Sequence, residues 1–213
     1  MSAVQLLVIA KAPVPGEVRA RLCPPCTPLQ AAVVAEAALA DTLAAAGKAD
    51  VLRRTVVLSG QYPVPADWFS VRQRGHLLGE QLANAFADTA LPRVASLLIG
   101  MDTPQVNAAL LAQVATRLDW ADAVLAPAED GGWWALALRD PAHAEVLCGV
   151  PMSWPDTGAR TVAALAGAGL SVSRGPALRD VDTVADAWVV AREVPHGRFA
   201  SAVRGHVPVG ATR

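Results

Sequence analysis

Leu97-Leu98-Ile99-Gly100-Met101-Asp102-Thr103-Pro104 is the stretch on which the fold turns. An apolar run ends in glycine, a carboxylate follows two residues later, and Thr-Pro then offers a helix start, with Thr103 as N-cap and Pro104 at the first helical position. An α/β protein presents an acid in this way at the carboxyl end of a central strand, where open α/β sheets bind their ligands.

Outward from this stretch, apolar runs alternate with segments of helical period. Val4–Ala10 (VQLLVIA) reads as a buried parallel strand. Lys11–Pro28 holds five prolines and reads as a loop, and 30–46 as a helix closed by Gly47. Strands follow at 51–59 and 69–73, a helix at about 80–91, the opening strand at 94–100 and a helix to about 118. Beyond it come strands at 122–127 and 133–138, a short helix at 141–150, a helix from Asp156 to about Gly167, a strand at 170–173 and a helix at 184–193. Such alternation implies βαβ units, right-handed crossovers and a mainly parallel sheet. One domain over 1–193 is expected, with 194–213 as a loose C-terminal tail.

The 213 residues are 53% hydrophobic and 17% charged, below the usual ~25% charged. A net charge of −1 without basic or acidic blocks gives no support for nucleic-acid or membrane-surface binding. No apolar run reaches the ~18 residues of a membrane span, and the start lacks a basic region and a cleavage site. A cytoplasmic protein is expected. Three cysteines do not make a disulfide framework, and Cys23-Pro24-Pro25-Cys26 has too few companions for a zinc site.

Lys11, Arg19 and Arg21 lie in the first strand-to-helix loop, where cations and backbone N–H groups can hold phosphates. Neither GxGxxG nor GxxxxGK[ST] is present, so neither a Rossmann cofactor site nor a P-loop is supported. Asp102 is the candidate ligand for a divalent metal, since Mg²⁺ takes one or two carboxylates plus substrate phosphates. Asp180 or Asp182 could supply a second carboxylate, although Thr183 with Asp186 also resembles a capping box. Asp130-Gly131-Gly132 is a tight turn between strands, either a plain hairpin turn or a close approach to a ligand, and Trp133 and Trp134 should point to opposite faces, with one in the core and the other either lining a pocket or packed in the core as well.

With these residues laid out, the chain resembles the DUF2064 group of bacterial GT-A-like proteins over about residues 4–193. Members are labelled rSAM/selenodomain-associated transferase 1 or arsenosugar-biosynthesis glycosyltransferase. The matching stretches are KAPVPGEVRARL (11–22), QRGHLLGEQLANAF (73–86), IGMDTP (99–104), PAEDGGWWALAL (127–138) and RDVDTVADAW (179–188). The resemblance implies a nucleotide-diphospho-sugar transferase fold, a three-layer α/β/α sandwich with a mixed, mainly parallel sheet. By that likeness Lys11, Gly16, Arg19 and Arg21 would hold nucleotide phosphates, and Gly75, Gly79 and Glu80 would lie near the nucleoside. Asp102 would be a ligand of Mg²⁺ or Mn²⁺, with Asp182 or Asp180 as the second. Asp130, Gly131 and Gly132 would form the acceptor side with Trp133 and Trp134, Asp130 being the candidate general base.

The family often has Lys-Thr-Arg where Arg19-Ala20-Arg21 stand, and Tyr-Tyr in place of Trp133-Trp134. The expected activity is a metal-dependent glycosyl transfer from a nucleotide-activated donor to a small-molecule acceptor. The alternatives are a nucleotidyltransferase resembling the guanylyltransferases, which releases pyrophosphate, and a non-catalytic nucleotide-binding module. Neither nucleic acid nor membrane is expected as a partner.

Overall fold

The computed structural model describes residues 3–209. Its centre is β1 (Val4–Lys11), whose alternate residues serve two faces. Leu6, Val8 and Ala10 enter one apolar core, while Leu7 enters the other. Such two-sided burial is what a continuous apolar strand predicts.

Around β1 lie β2 (Arg54–Ser59), β3 (Phe69–Arg72), β4 (Ala95–Ile99), β5 (Ala123–Pro127), β6 (Trp133–Leu138) and β7 (Val172–Arg174). They form one seven-stranded sheet in the order β3-β2-β1-β4-β6-β5-β7. β6 is antiparallel to both β4 and β5, and the remaining pairs are parallel. The sheet is therefore mixed and mainly parallel. The chain winds from β1 through β2 to β3, then returns to β4 on the other side of β1. That reversal opens a crevice between the carboxyl ends of β1 and β4.

Helix α1 (Pro28–Ala46) starts at a Thr27–Gln30 capping box with proline in its first turn. With α3 (Ala108–Thr116) it covers one face of the sheet. The other face is covered by α2 (Leu78–Thr89), α4 (Thr157–Gly167) and a 3₁₀ segment at Pro141–Gly149. Two further helices, α5 (Val184–Glu193) and α6 (Arg198–His206), pack outside α1. This is an α/β/α sandwich with an added helical flank.

Two expectations need correction. Thr103 does not cap a helix: α3 begins at Ala108, and the Asn107 carboxamide accepts from Leu110 N at 3.0 Å. Residues 198–206 are not a loose tail but helix α6, which buries Phe199, Ala200 and Val203 against α1 and α5. Its polar composition hides an apolar stripe too short to stand out. Helix α1 is, by length and composition alone, long and apolar enough to cross a membrane. Half of it is buried here, between the sheet and α6, as befits the core helix of an α/β layer.

Candidate functional site

The carboxyl ends of β1, β2 and β4 wall a cleft of about 550 Å³. Lys11 ends β1 and lines it, its Nζ donating to Glu17 O at 3.0 Å. Arg19, Arg21, Asp102 and Asp182 line it from the side of β4 and the segment before α5. Ser59, Gln73, Leu78 and Gln81 line the side of β2, β3 and α2. Those last four were not singled out in the sequence, because only the fold brings the ends of β2 and β3 and the first turn of α2 to one cleft.

Arg19 does not behave as an open phosphate cation. Its side chain is only 6% exposed. It donates to Val181 O and pairs with Asp102 Oδ1 at 2.6 Å. It holds a left-handed backbone, φ 52°, which a non-glycine residue adopts at a cost. Asp102 O in turn accepts from Val181 N at 2.9 Å, and Gln105 Nε2 donates to Arg179 O at 2.5 Å. The Arg19 loop, the end of β4 and residues 179–183 are thus stitched into one wall. Arg21, by contrast, is 63% exposed and pairs with Asp182. With Lys11 it is the cation best able to change partners for a phosphate. Gly16, at φ 84°, turns the loop that carries them.

Asp130, Asp180 and Asp182 each bring a carboxylate oxygen within 4.8 Å of the others. Asp130 sits in the β5–β6 turn, its Oδ1 accepting from Gly132 N at 2.7 Å. Asp182 precedes α5, whose N-terminus is capped instead by Thr183 and Asp186. Burial, and then the negative charge of Asp130 and Asp182, raises the Asp180 carboxyl to about 6. Burial, followed by nearby Asp102, raises Asp182 against the pull of Arg21. Carboxylates that repel one another in this way fit a hard divalent cation, which takes oxygen ligands. Among the described residues, the acids that lie within this reach of one another are Asp130, Asp180 and Asp182, where Asp102 with Asp182 or Asp180 was expected. Asp130 joins Asp180 and Asp182, while Asp102 stands beside them, held by Arg19.

Several expected binding residues are occupied in the fold. The Glu80 carboxylate accepts from His76 N at 2.8 Å and Leu77 N at 3.3 Å, closing the start of α2, and these bonds hold its pKa down. Gly79 meets the carbonyl of Leu147 so closely that a Cβ would collide with it. Gly75, at φ 114°, packs beside Glu80 and Gln81. Gly131, at φ 93°, lies against the Pro155 carbonyl, and Gly132 beside Gly158. Both glycines border a second hollow of about 860 Å³ on the α4 side of the turn. Trp134 is core, its Nε1 donating to Pro176 O at 2.9 Å. Trp133 packs on the opposite face, with Nε1 donating to Thr161 Oγ1 at 3.2 Å. The expected split across the strand holds, but neither indole lines the cleft. Cys26 is buried in the core between α1 and α5, and burial raises its thiol pKa.

No curated protein matches the chain. Among solved structures, a protein from Desulfovibrio desulfuricans G20 with the provisional name nucleotide-diphospho-sugar transferase is 25% identical, with a TM-score of 0.83 over 96% of this chain and 95% of that one. Rv0371c of Mycobacterium tuberculosis H37Rv, in complex with manganese, is 20% identical, with a TM-score of 0.54 over 90% and 98%. The 4-diphosphocytidyl-2C-methyl-D-erythritol synthase of Anaerococcus prevotii DSM 20548 is 10% identical, with a TM-score of 0.60 over 92% and 99%. The last two likenesses are of fold alone. The profile of the family described as "Uncharacterized protein conserved in bacteria (DUF2064)" matches residues 29–154, more than half of the chain. The chain belongs to the DUF2064 family.

Proposed function

We propose that the protein is a metal-dependent transferase that uses a nucleotide-activated donor, and that the group it moves is a sugar. The observation that carries this reading is that Lys11, Arg21 and Asp182 line the β1–β4 cleft together, with the Asp130 and Asp180 carboxylates grouped around Asp182. Cations on one side and paired acids on the other suit a diphosphate bridged through a divalent ion. The provisional name of the Desulfovibrio relative and the manganese bound to Rv0371c point the same way.

Asp130, Asp180 and Asp182 would hold Mg²⁺ or Mn²⁺, which supplies Lewis-acid neutralisation of the diphosphate leaving group. Lys11 and Arg21 bind its oxygens. Arg19 fixes the Asp102 carboxylate and the 179–183 segment, so that the anionic wall is formed before the ligand arrives. Asp130, in the β5–β6 turn, would serve as a metal ligand ahead of the general-base role expected of it. The acceptor enters past the turn at 128–132, whose far side borders the second hollow.

Incubation with nucleoside triphosphates and with nucleotide sugars, followed by product analysis, tests this reading. Release of a nucleoside diphosphate from a sugar donor supports it. Pyrophosphate release from a triphosphate would replace it with nucleotidyl transfer. Binding without turnover of any donor would leave a nucleotide-binding module.

A further inference from the structure

On the side of β2, β3 and α2, beside the end of β1 that carries Lys11, the cleft is lined by two carboxamide side chains. Gln73 follows β3, and its Nε2 donates to Ala10 O at 2.7 Å and to Val57 O at 3.0 Å. Both partners are backbone carbonyls, which can only accept. The amide nitrogen must therefore face them, whichever way the carboxamide is drawn. Gln73 Oε1 is left as a fixed acceptor with no hydrogen-bond partner among the described residues, on a residue that lines the cleft. Gln81, one turn into α2, is arranged in the same sense. Its Nε2 donates to Gly75 O at 3.3 Å and its Oε1 stays unpaired. The Ser59 hydroxyl lies on the same side.

We propose that this acceptor-rich side is the base subsite and that it selects guanine. The inference rests on the donor-nucleotide reading above and deepens it. Guanine carries two neighbouring donors on its pairing edge, the N1–H and the 2-amino group. Adenine and cytosine each present one amino group beside a ring-nitrogen acceptor, and uracil presents one N–H between two carbonyls. Two anchored amide oxygens satisfy the guanine edge and set lone pairs against acceptors in the other three. Gln73 is the specificity-determining residue, because its two bonds to strand backbone prevent the flip that would let it serve a pyrimidine carbonyl. Leu78 closes the site with an apolar side chain on which a base can rest.

The test is calorimetry with Mn²⁺ present, titrating GDP, IDP, ADP, CDP and UDP, with inorganic pyrophosphate as a base-free probe. GDP is expected to bind at least about tenfold tighter than ADP, CDP or UDP, the discrimination typical of one good paired contact to a base edge. IDP, which keeps N1–H and lacks the 2-amino group, falls between. Gln73→Met is expected to bring the four common bases within about threefold of one another while pyrophosphate binds as before. UDP, CDP or ADP binding as tightly as GDP overturns the base assignment and leaves the donor reading intact. So does a Gln73→Met protein that keeps the GDP preference. Should that variant fail to fold, the wild-type series still decides. Binding of none of the five nucleotides overturns the donor reading and this inference together.

Discussion

Removal of the Arg19 side chain tests whether this residue is a strut or a phosphate ligand. Its guanidinium is 6% exposed and donates to Val181 O, while pairing with Asp102 Oδ1 at 2.6 Å. A hydrogen bond from a charged group contributes about 1.5–3 kcal/mol. The Asp102 pair adds less, about 1 kcal/mol, because Asp102 is half exposed and water screens it. The contact with Met101 O, at 3.5 Å, adds nothing measurable. Arg19→Ala should therefore cost about 3 kcal/mol. In a domain of this size that lowers Tm by about 6–12 °C. Alanine still carries the cost of the left-handed backbone, which glycine does not, so Arg19→Gly should recover about 1 kcal/mol. Urea denaturation of the three proteins without ligand gives both differences. A loss below about 0.5 kcal/mol for Arg19→Ala, or a glycine variant less stable than the alanine one, would refute the strut.

Other consequences follow from the same geometry. Gly131→Ala should lose about 3 kcal/mol or more, since it combines φ 93° with a collision at the Pro155 carbonyl, and thermal unfolding reads it. Phe199→Ala should cost about 3–5 kcal/mol, because the ring is fully buried on α6; a wild-type-like Tm would return that segment to a loose tail. The acid cluster sets a pH dependence. The Asp180 carboxyl titrates near 6 in the fold and near 3.8 when unfolded, so between these values the folded state holds the extra proton. Stability of the metal-free protein then falls as pH rises through that window. Added Mn²⁺ should raise Tm at pH 7.5 and do so progressively less below about pH 6, where protons compete for the ligand; a Tm increment independent of pH would contradict this.

Much of the fold was legible because it follows from periodicity. The two-sided burial of β1, the capping box at Thr183, and α5 at Val184–Glu193 all rest on local patterns that the tertiary structure leaves alone. Helix α3 was misplaced because Thr103-Pro104 looks like a start, yet Thr103 is drawn inward behind the β4 end and Asn107 caps instead. The acids of the site were also visible, each just beyond a strand or before a helix. Their grouping was not. Asp130 reaches Asp180 and Asp182 only because β6 runs antiparallel between β4 and β5, which brings the β5–β6 turn to the same edge of the sheet as the carboxyl end of β4. Glycines near the site were open to either reading in sequence. Gly79 and Gly131 serve close backbone packing, a contact between distant segments that no local pattern records.

Asp180→Asn tests most directly whether Asp130, Asp180 and Asp182 form a site for a divalent metal. The amide keeps the shape and removes the charge that burial and its two neighbours oppose. Mn²⁺ titration at pH 7.5, paired with Tm of the metal-free proteins, gives two readings from one variant. The metal-free variant should be more stable than wild type, by about 1 kcal/mol after allowance for solvent screening. Its affinity for Mn²⁺ should fall at least about tenfold. Unchanged Mn²⁺ affinity in a folded Asp180→Asn protein would show that these carboxylates do not hold the metal.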